Sequence, residues 1–189
     1  PDFIARLGWI AFYVHSNDSV QVESMDCTAR LSHIVANRMV QYSSAPQENA
    51  TALTSLLACL ADWSSRWCDL AGAVAGTPGM VGALGHLLEV APYLHLRREA
   101  LWLIHCLSGV LAQYDLACIS AATSGIIPLL TPGAACINEV LLLLQGISTT
   151  LPALRHSLAR NAAILAQLQQ MTSEHCGEGQ KLQAILAYP

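Results

Sequence analysis

The stretch Leu96–Leu111, LRREALWLIHCLSGVL, decides the fold. Its apolar residues fall at Leu96, Ala100, Leu103, Ile104, Leu107, Val110 and Leu111. That spacing traces one continuous stripe along a helix, the side on which such a helix meets a core. Arg97, Arg98, Glu99 and His105 fall on the opposite side, and Trp102 stands at the margin of the stripe.

Two other segments carry a similar pattern. TALTSLLACLAD (51–62) and NEVLLLLQGIST (138–149) align with the central stretch when Cys59 and Gly146 are set on Cys106. Cys106 lies 47 residues after Cys59 and 40 residues before Gly146. A helical pattern recurring at such an interval marks an array of stacked helical repeats.

Reading outward, Asp2–Val14 is apolar almost all round and predicts a helix, with a turn over Ser16–Ser19. Val22–Tyr42 predicts a long amphipathic helix with Met25, Ala29, Ile34, Val35 and Met39 on or near one face. Pro46 ends it. Helices are expected over Glu48–Asp62, Trp63–Ala75 and up to about Val90, the last with Thr77 as its cap and Pro78 in its first turn. After the central helix the same order returns: Gln113–Thr123, Ile126–Leu130, Ala134–Ser148, Pro152–Ala159, Asn161–Met171 and Gln180–Tyr188. No stretch shows the period-two alternation of a strand, so the expected class is all-α.

Composition narrows the function. Of 189 residues, 53% are hydrophobic and 12% are charged, against about 25% charged in ordinary soluble domains. Much of this apolar surface must be covered, by the chain itself or by neighbours. Net charge is -4 and Lys181 is the single lysine, which argues against nucleic acid, whose partners need a basic face. No apolar run, Val140–Leu144 included, approaches the roughly 20 residues of a membrane span. Seven cysteines, at 27, 59, 68, 106, 118, 136 and 176, are odd in number and form no CxxC pair. They read as reduced thiols of an intracellular protein, cytoplasmic or nuclear. Pro1 stands inside a helical pattern without a preceding Met, which reads as a piece of a longer array.

The three-beat unit of short helix, second helix and long third helix resembles the armadillo repeat. AGTPGMVGALGHLL (75–88) is similar to that family's glycine-turn entry into its second helix. SGIIPLL (124–130) is a shorter form, and ARNAAILAQLQQM (159–171) has the apolar spacing without the glycine. LRREALWLIHCLSG resembles a family third helix, with Glu99, Ala100 and Trp102 in its centre. The resemblance covers about residues 48–188 and implies an armadillo-like α-solenoid, a right-handed superhelix of stacked two- or three-helix repeats. It would be a single domain over 1–189, with degenerate helices over 1–45 and about three repeats over 46–189. HEAT repeats share the period.

The resemblance also implies a function. Third helices line the concave side of such arrays and bind extended peptides or partner proteins. The aligned positions here are Thr51, Ser55 and Cys59, then Arg98, Trp102 and Cys106, then Asn138, Leu142 and Gly146. In the importin-alpha branch, a Trp followed four residues later by an Asn clamps a basic peptide. Here the Trp-type positions are Ser55, Trp102 and Leu142, and the Asn-type positions are Cys59, Cys106 and Gly146. Only Trp102 matches, which disfavours a nuclear-import cargo adaptor and leaves a non-catalytic protein-interaction scaffold or assembly subunit, without cofactor.

Other constellations read first as structure. His105–Cys106 are adjacent on a helix and point about 100° apart, so they do not face one metal ion together. His175–Cys176, with Glu174 and Glu178, fall in a polar loop. These residues are the best support for the alternative of a helical bundle with a metal or small molecule. His95–Glu99 are one turn apart, as an ion pair or hydrogen bond requires, and Arg98–Trp102 have the spacing of a cation–aromatic contact. Trp63 and Trp67, beside Arg66, read as packing between repeats, or else as a partner anchor. Gly79, Gly82 and Gly85 follow no predicted strand, so they read as close helix packing rather than a nucleotide loop.

Overall fold

A computed structural model of the chain describes residues 24–131, 136–171 and 177–187, with backbone alone over 24–28. The described residues form α1 (Ser24–Tyr42), α2 (Ala50–Arg66), α3 (Cys68–Ala75), α4 (Met80–Val90), α5 (Leu94–Leu111) and α6 (Ala117–Ala121). A 3-10 helix (Ala122–Leu130) follows, then α7 (Ile137–Thr150), α8 (Pro152–Arg160), α9 (Ala162–Met171) and α10 (Glu178–Ala187). Among the described residues there is no strand, and the class is all-α. None of these helices is long and apolar enough to cross a membrane. The helix and turn expected over 2–19 lie outside the described residues.

The central helix forms because its stripe is buried. Leu96, Ala100, Leu103, Ile104, Leu107 and Leu111 are fully enclosed, and Val110 is half-buried. α5 is clasped on two sides: it packs against α2 and against α7, and α7 packs in turn against α10. The three segments aligned in the sequence therefore lie on helices that are neighbours in chain order. A second line of contacts runs from α4 to the 3-10 helix and on to α9. α6 packs against α4 and α8. A single apolar cluster extends from Val35 on α1 to Leu186 on α10, so the burial that stabilises each helix is supplied by its neighbours.

The double clasp corrects one expectation. Glu99 is 5% exposed, although the helical pattern put it on the outer face. Arg97 also turns inward. Its guanidinium donates to the carbonyls of Ala91 (Nε, 2.8 Å), Gly125 (Nη1, 3.0 Å) and Glu89 (Nη2, 3.1 Å). Arg97 thus satisfies carbonyls at the C-terminal end of α4, which have no partner within the helix, and ties them to the 3-10 helix.

The interface of α4 is set by two close approaches. A β-carbon at Gly85 would stand 2.9 Å from the Cys118 carbonyl of α6. One at Gly125 would stand 2.6 Å from the carbonyl carbon of Leu88, and closer still to its oxygen. Of the three glycines read as helix packing, Gly85 meets the backbone of a neighbouring helix and Gly79 approaches Val40 on α1, whose Cγ1 would stand 3.2 Å from a β-carbon there. Gly82 meets nothing within 4 Å, and Gly79 adopts φ +82° at the entry to α4.

Several boundaries differ from the expected ones. α2 runs on through Trp63 to Arg66, and the break comes at Trp67, which is extended at φ -131°. Thr77 does not cap α4: its hydroxyl donates back to the Ala73 carbonyl at 3.2 Å, and Pro78 lies in the turn before Met80. Gln113–Leu116 are not helical; α6 begins at Ala117, where Asp115 accepts from the backbone N–H at 2.9 Å. Pro128, which has no N–H, is accommodated within the 3-10 helix. On α1, Ala29 is exposed and Ile34 is 51% exposed, while Val35 and Met39 are enclosed. The buried face of α1 therefore follows Ser32, Val35, Ala36 and Met39.

Candidate functional site

Because α2, α5 and α7 are adjacent, the aligned positions stand on neighbouring helices. Thr51, Asn138 and Leu142 are exposed, and Ser55, Arg98, Trp102, Cys106 and Gly146 are half-buried. Cys59 is 2% exposed and presents nothing to a partner. Its burial has a local cause. α2 packs against α5, and the charge of Asp62 on α2 acts on the thiols of both Cys59 and Cys106. The open part is the stretch around Arg98, Trp102, Asn138 and Leu142.

Arg98 bridges the two helices of that stretch. Its Nη2 donates to Glu99 Oε1 at 2.6 Å, and its Nη1 lies 3.8 Å from Glu139 Oε2 on α7. The hydrogen bond to Glu99 holds the guanidinium above its ordinary pKa, and the charges of Glu99 and Glu139 act in the same direction. Arg98 is therefore committed to carboxylates rather than to the ring of Trp102. Glu99 Oε2 is buried and has no hydrogen-bond partner. Trp102 packs part of its ring on the core, and Leu142 keeps 55% of its surface in solvent. An aromatic edge and an aliphatic side chain, flanked by an ion pair, offer contact area and orientation to a polypeptide. Glu139 belongs to this site and was missed by the alignment, because its role depends on a neighbour 41 residues away.

Burial pushes Cys106 up to about 11, with the charge of Asp62 adding to it. Cys59 is raised further by the same two causes. Both stay protonated near neutral pH, and a thiol attacks only as thiolate. Asp62 Oδ1 accepts from Arg66 Nε at 2.9 Å, while Oδ2 is buried without a partner.

The remaining constellations resolve as follows. His95 is exposed and stacks on Tyr93, with centroids 5.6 Å apart and planes at 25°, while Glu99 takes Arg98 instead. Trp63 is fully enclosed and Trp67 half-buried, so Trp63 is packing and not an anchor. His175 and Cys176 lie outside the described residues. Glu178 is described: it accepts from Lys181 Nζ at 2.7 Å and from Gln145 Nε2 at 2.8 Å. Among the described residues no three His, Cys, Asp or Glu side chains converge as a metal site. A cavity of about 480 Å³ lies at the C-terminal ends of α5 and α7, lined by Ala112, Tyr114, Asp115, Leu151 and Pro152 among others. Its carboxylate is already used, on the first turn of α6.

Compared with known proteins, the chain matches no family model, and no curated protein matches it.

Proposed function

We propose that this chain is an armadillo-like stack of helical repeats that serves as a non-catalytic protein-interaction scaffold. It would receive an extended segment of a partner protein along α5 and α7. The sequential packing of α2, α5, α7 and α10, with α4, the 3-10 helix and α9 in a second line, supports the stacked arrangement. In this reading the repeats are α3–α5, α6–α7 and α8–α10, preceded by α1 and α2. The observation that carries the functional part is a half-buried Trp102 and a 55% exposed aliphatic Leu142 carried on two packed helices that Arg98 bridges. The occupant is a segment that places an apolar side chain on Trp102 and Leu142. Its neighbouring backbone groups would meet Asn138 and the carboxylates held by Arg98.

The test is affinity capture from the source cell with the wild type, Leu142→Asp and Trp102→Ala, read by quantitative mass spectrometry. Ile34→Asp, at an exposed apolar residue of α1, is the control. The proposal expects the same proteins to be lost with both row variants and kept with the control, while Leu142→Asp unfolds at the wild-type temperature. Unchanged capture by both row variants would overturn it.

A further inference from the structure

Gly146 lies in the middle of α7, and the imidazole of His105 on α5 lies over it. A β-carbon at Gly146 would stand 2.6 Å from His105 Nδ1 and closer still to Cε1. The ring therefore fills the space that any other residue would use for its own side chain. His105 Nδ1 is buried and has no hydrogen-bond partner. The Gly146 carbonyl is already taken by the hydroxyls of Thr149 (2.8 Å) and Thr150 (2.9 Å).

The charged groups on the elements packed against α5 and α7 are paired or open to solvent; on α8 they are Arg155, half-buried, and His156 and Arg160, both exposed. On α2, Asp62 holds Arg66, and its charge acts on the thiols of Cys59 and Cys106. At the start of α7, Cys136 just before it and Glu139 in its first turn stand about two turns or more from Gly146, with Glu139 paired to Arg98. On α5 itself, Arg97 binds carbonyls, Arg98 binds Glu99, and His95 is exposed. On α3 and α4, Cys68, Asp69, His86 and Glu89 are exposed, and the 3-10 helix carries no titratable side chain. On α10, Glu178 and Lys181 pair with each other. Burial alone lowers the pKa of His105 below its ordinary value, with no carboxylate acting against it.

We propose that the contact of His105 with Gly146 is an acid-sensitive joint between α5 and α7. A proton arriving at Nδ1 places an unpaired charge in a seam that offers it no acceptor. The ring, already half-exposed, then swings fully to water, and the glycine seat it leaves is an unfilled gap between the helices. Contact between α5 and α7 weakens, while α4 and the 3-10 helix keep theirs. The inference rests on this seam and not on the proposed binding face.

Hydrogen exchange of the α7 amides tests it, measured from about pH 7.5 to about pH 5 and normalised to intrinsic rates, with the α4 amides as internal reference. Each unit by which burial lowers the pKa is worth about tenfold in the opening equilibrium once His105 is protonated. The wild type should lose α7 protection below pH 6.5, the ordinary imidazole value, while His105→Gln holds its protection constant. An equal loss in His105→Gln, or a flat wild type, overturns the proposal. An NMR titration of the His105 ring in the unaltered chain gives a second reading, independent of how the variant folds. A pKa below 6.5 is expected, and one at or above 6.5 overturns the proposal.

Discussion

Replacing Gly125 with alanine forces the 3-10 helix away from α4, and the cost can be worked from the contact. The added methyl would stand 2.6 Å from the Leu88 carbonyl carbon, 3.2 Å from the Glu89 nitrogen and closest to the Leu88 oxygen. All three are backbone atoms, so no rotamer change relieves the clash. Overpacking a filled interface costs about 1–3 kcal/mol. Separation also stretches the Arg97 hydrogen bond to the Gly125 carbonyl, now 3.0 Å, and a bond to a charged group contributes about 1.5–3 kcal/mol. Alanine's better helix propensity returns about 1 kcal/mol. The net loss is about 3 kcal/mol, or roughly 6–12 °C in Tm for a chain of this size. Gly82→Ala is the internal control, since nothing lies within 4 Å of its added methyl. It should gain about 0.5–1 kcal/mol. Thermal unfolding by circular dichroism reads both. A neutral Gly125→Ala, or equal effects at the two glycines, would refute the close approach of α4 and the 3-10 helix.

Three further outcomes follow from named contacts. Arg97→Met, which keeps the aliphatic stem and removes the donors to Ala91, Gly125 and Glu89, should lower stability by about 2–4 kcal/mol in chemical denaturation. Alkylation by iodoacetamide near neutral pH should label the exposed Cys68 and Cys118 and spare Cys106, whose thiol is pushed up to about 11, as peptide mass spectrometry reads. The Glu178 carboxyl is held below its ordinary pKa by hydrogen bonds from Lys181 and Gln145. A group depressed in the folded state contributes stability above its unfolded pKa and loses it as pH falls through the folded value. Acid titration of the unfolding free energy should therefore be shallower at that end for Glu178→Gln than for the wild type.

What was legible in the sequence was what depends on one helix at a time. The stripe from Leu96 to Leu111 fixed both the existence and the inward face of α5. Similar stripes placed α2 and α7, and their alignment anticipated that these helices neighbour α5. What was not legible depends on several elements meeting. Glu99 sits on the polar side of a helical wheel, yet it is buried because α5 is covered from two directions. Arg97 looked like a surface charge, but its partners are carbonyls, which every residue carries and no pattern marks. The break at Trp67 carries no proline or glycine, so nothing local signals it. Cys59 aligned well as a row position and is closed off by the approach of α5. The seat of His105 on Gly146 needs two residues 41 apart, and its one sequence trace is a glycine in a leucine-rich helix.

α7 lies between α5 and α10, with α2 one helix farther away. The most direct measurement is paramagnetic relaxation enhancement from a nitroxide on an unnatural residue at position 142, a solvent-exposed site. With packed helices about 8–10 Å apart, the α5 and α10 amides should broaden strongly and those of α2 much less. Broadening of α2 as strong as that of α5, or α5 left sharp, would contradict the arrangement and remove the face built on it.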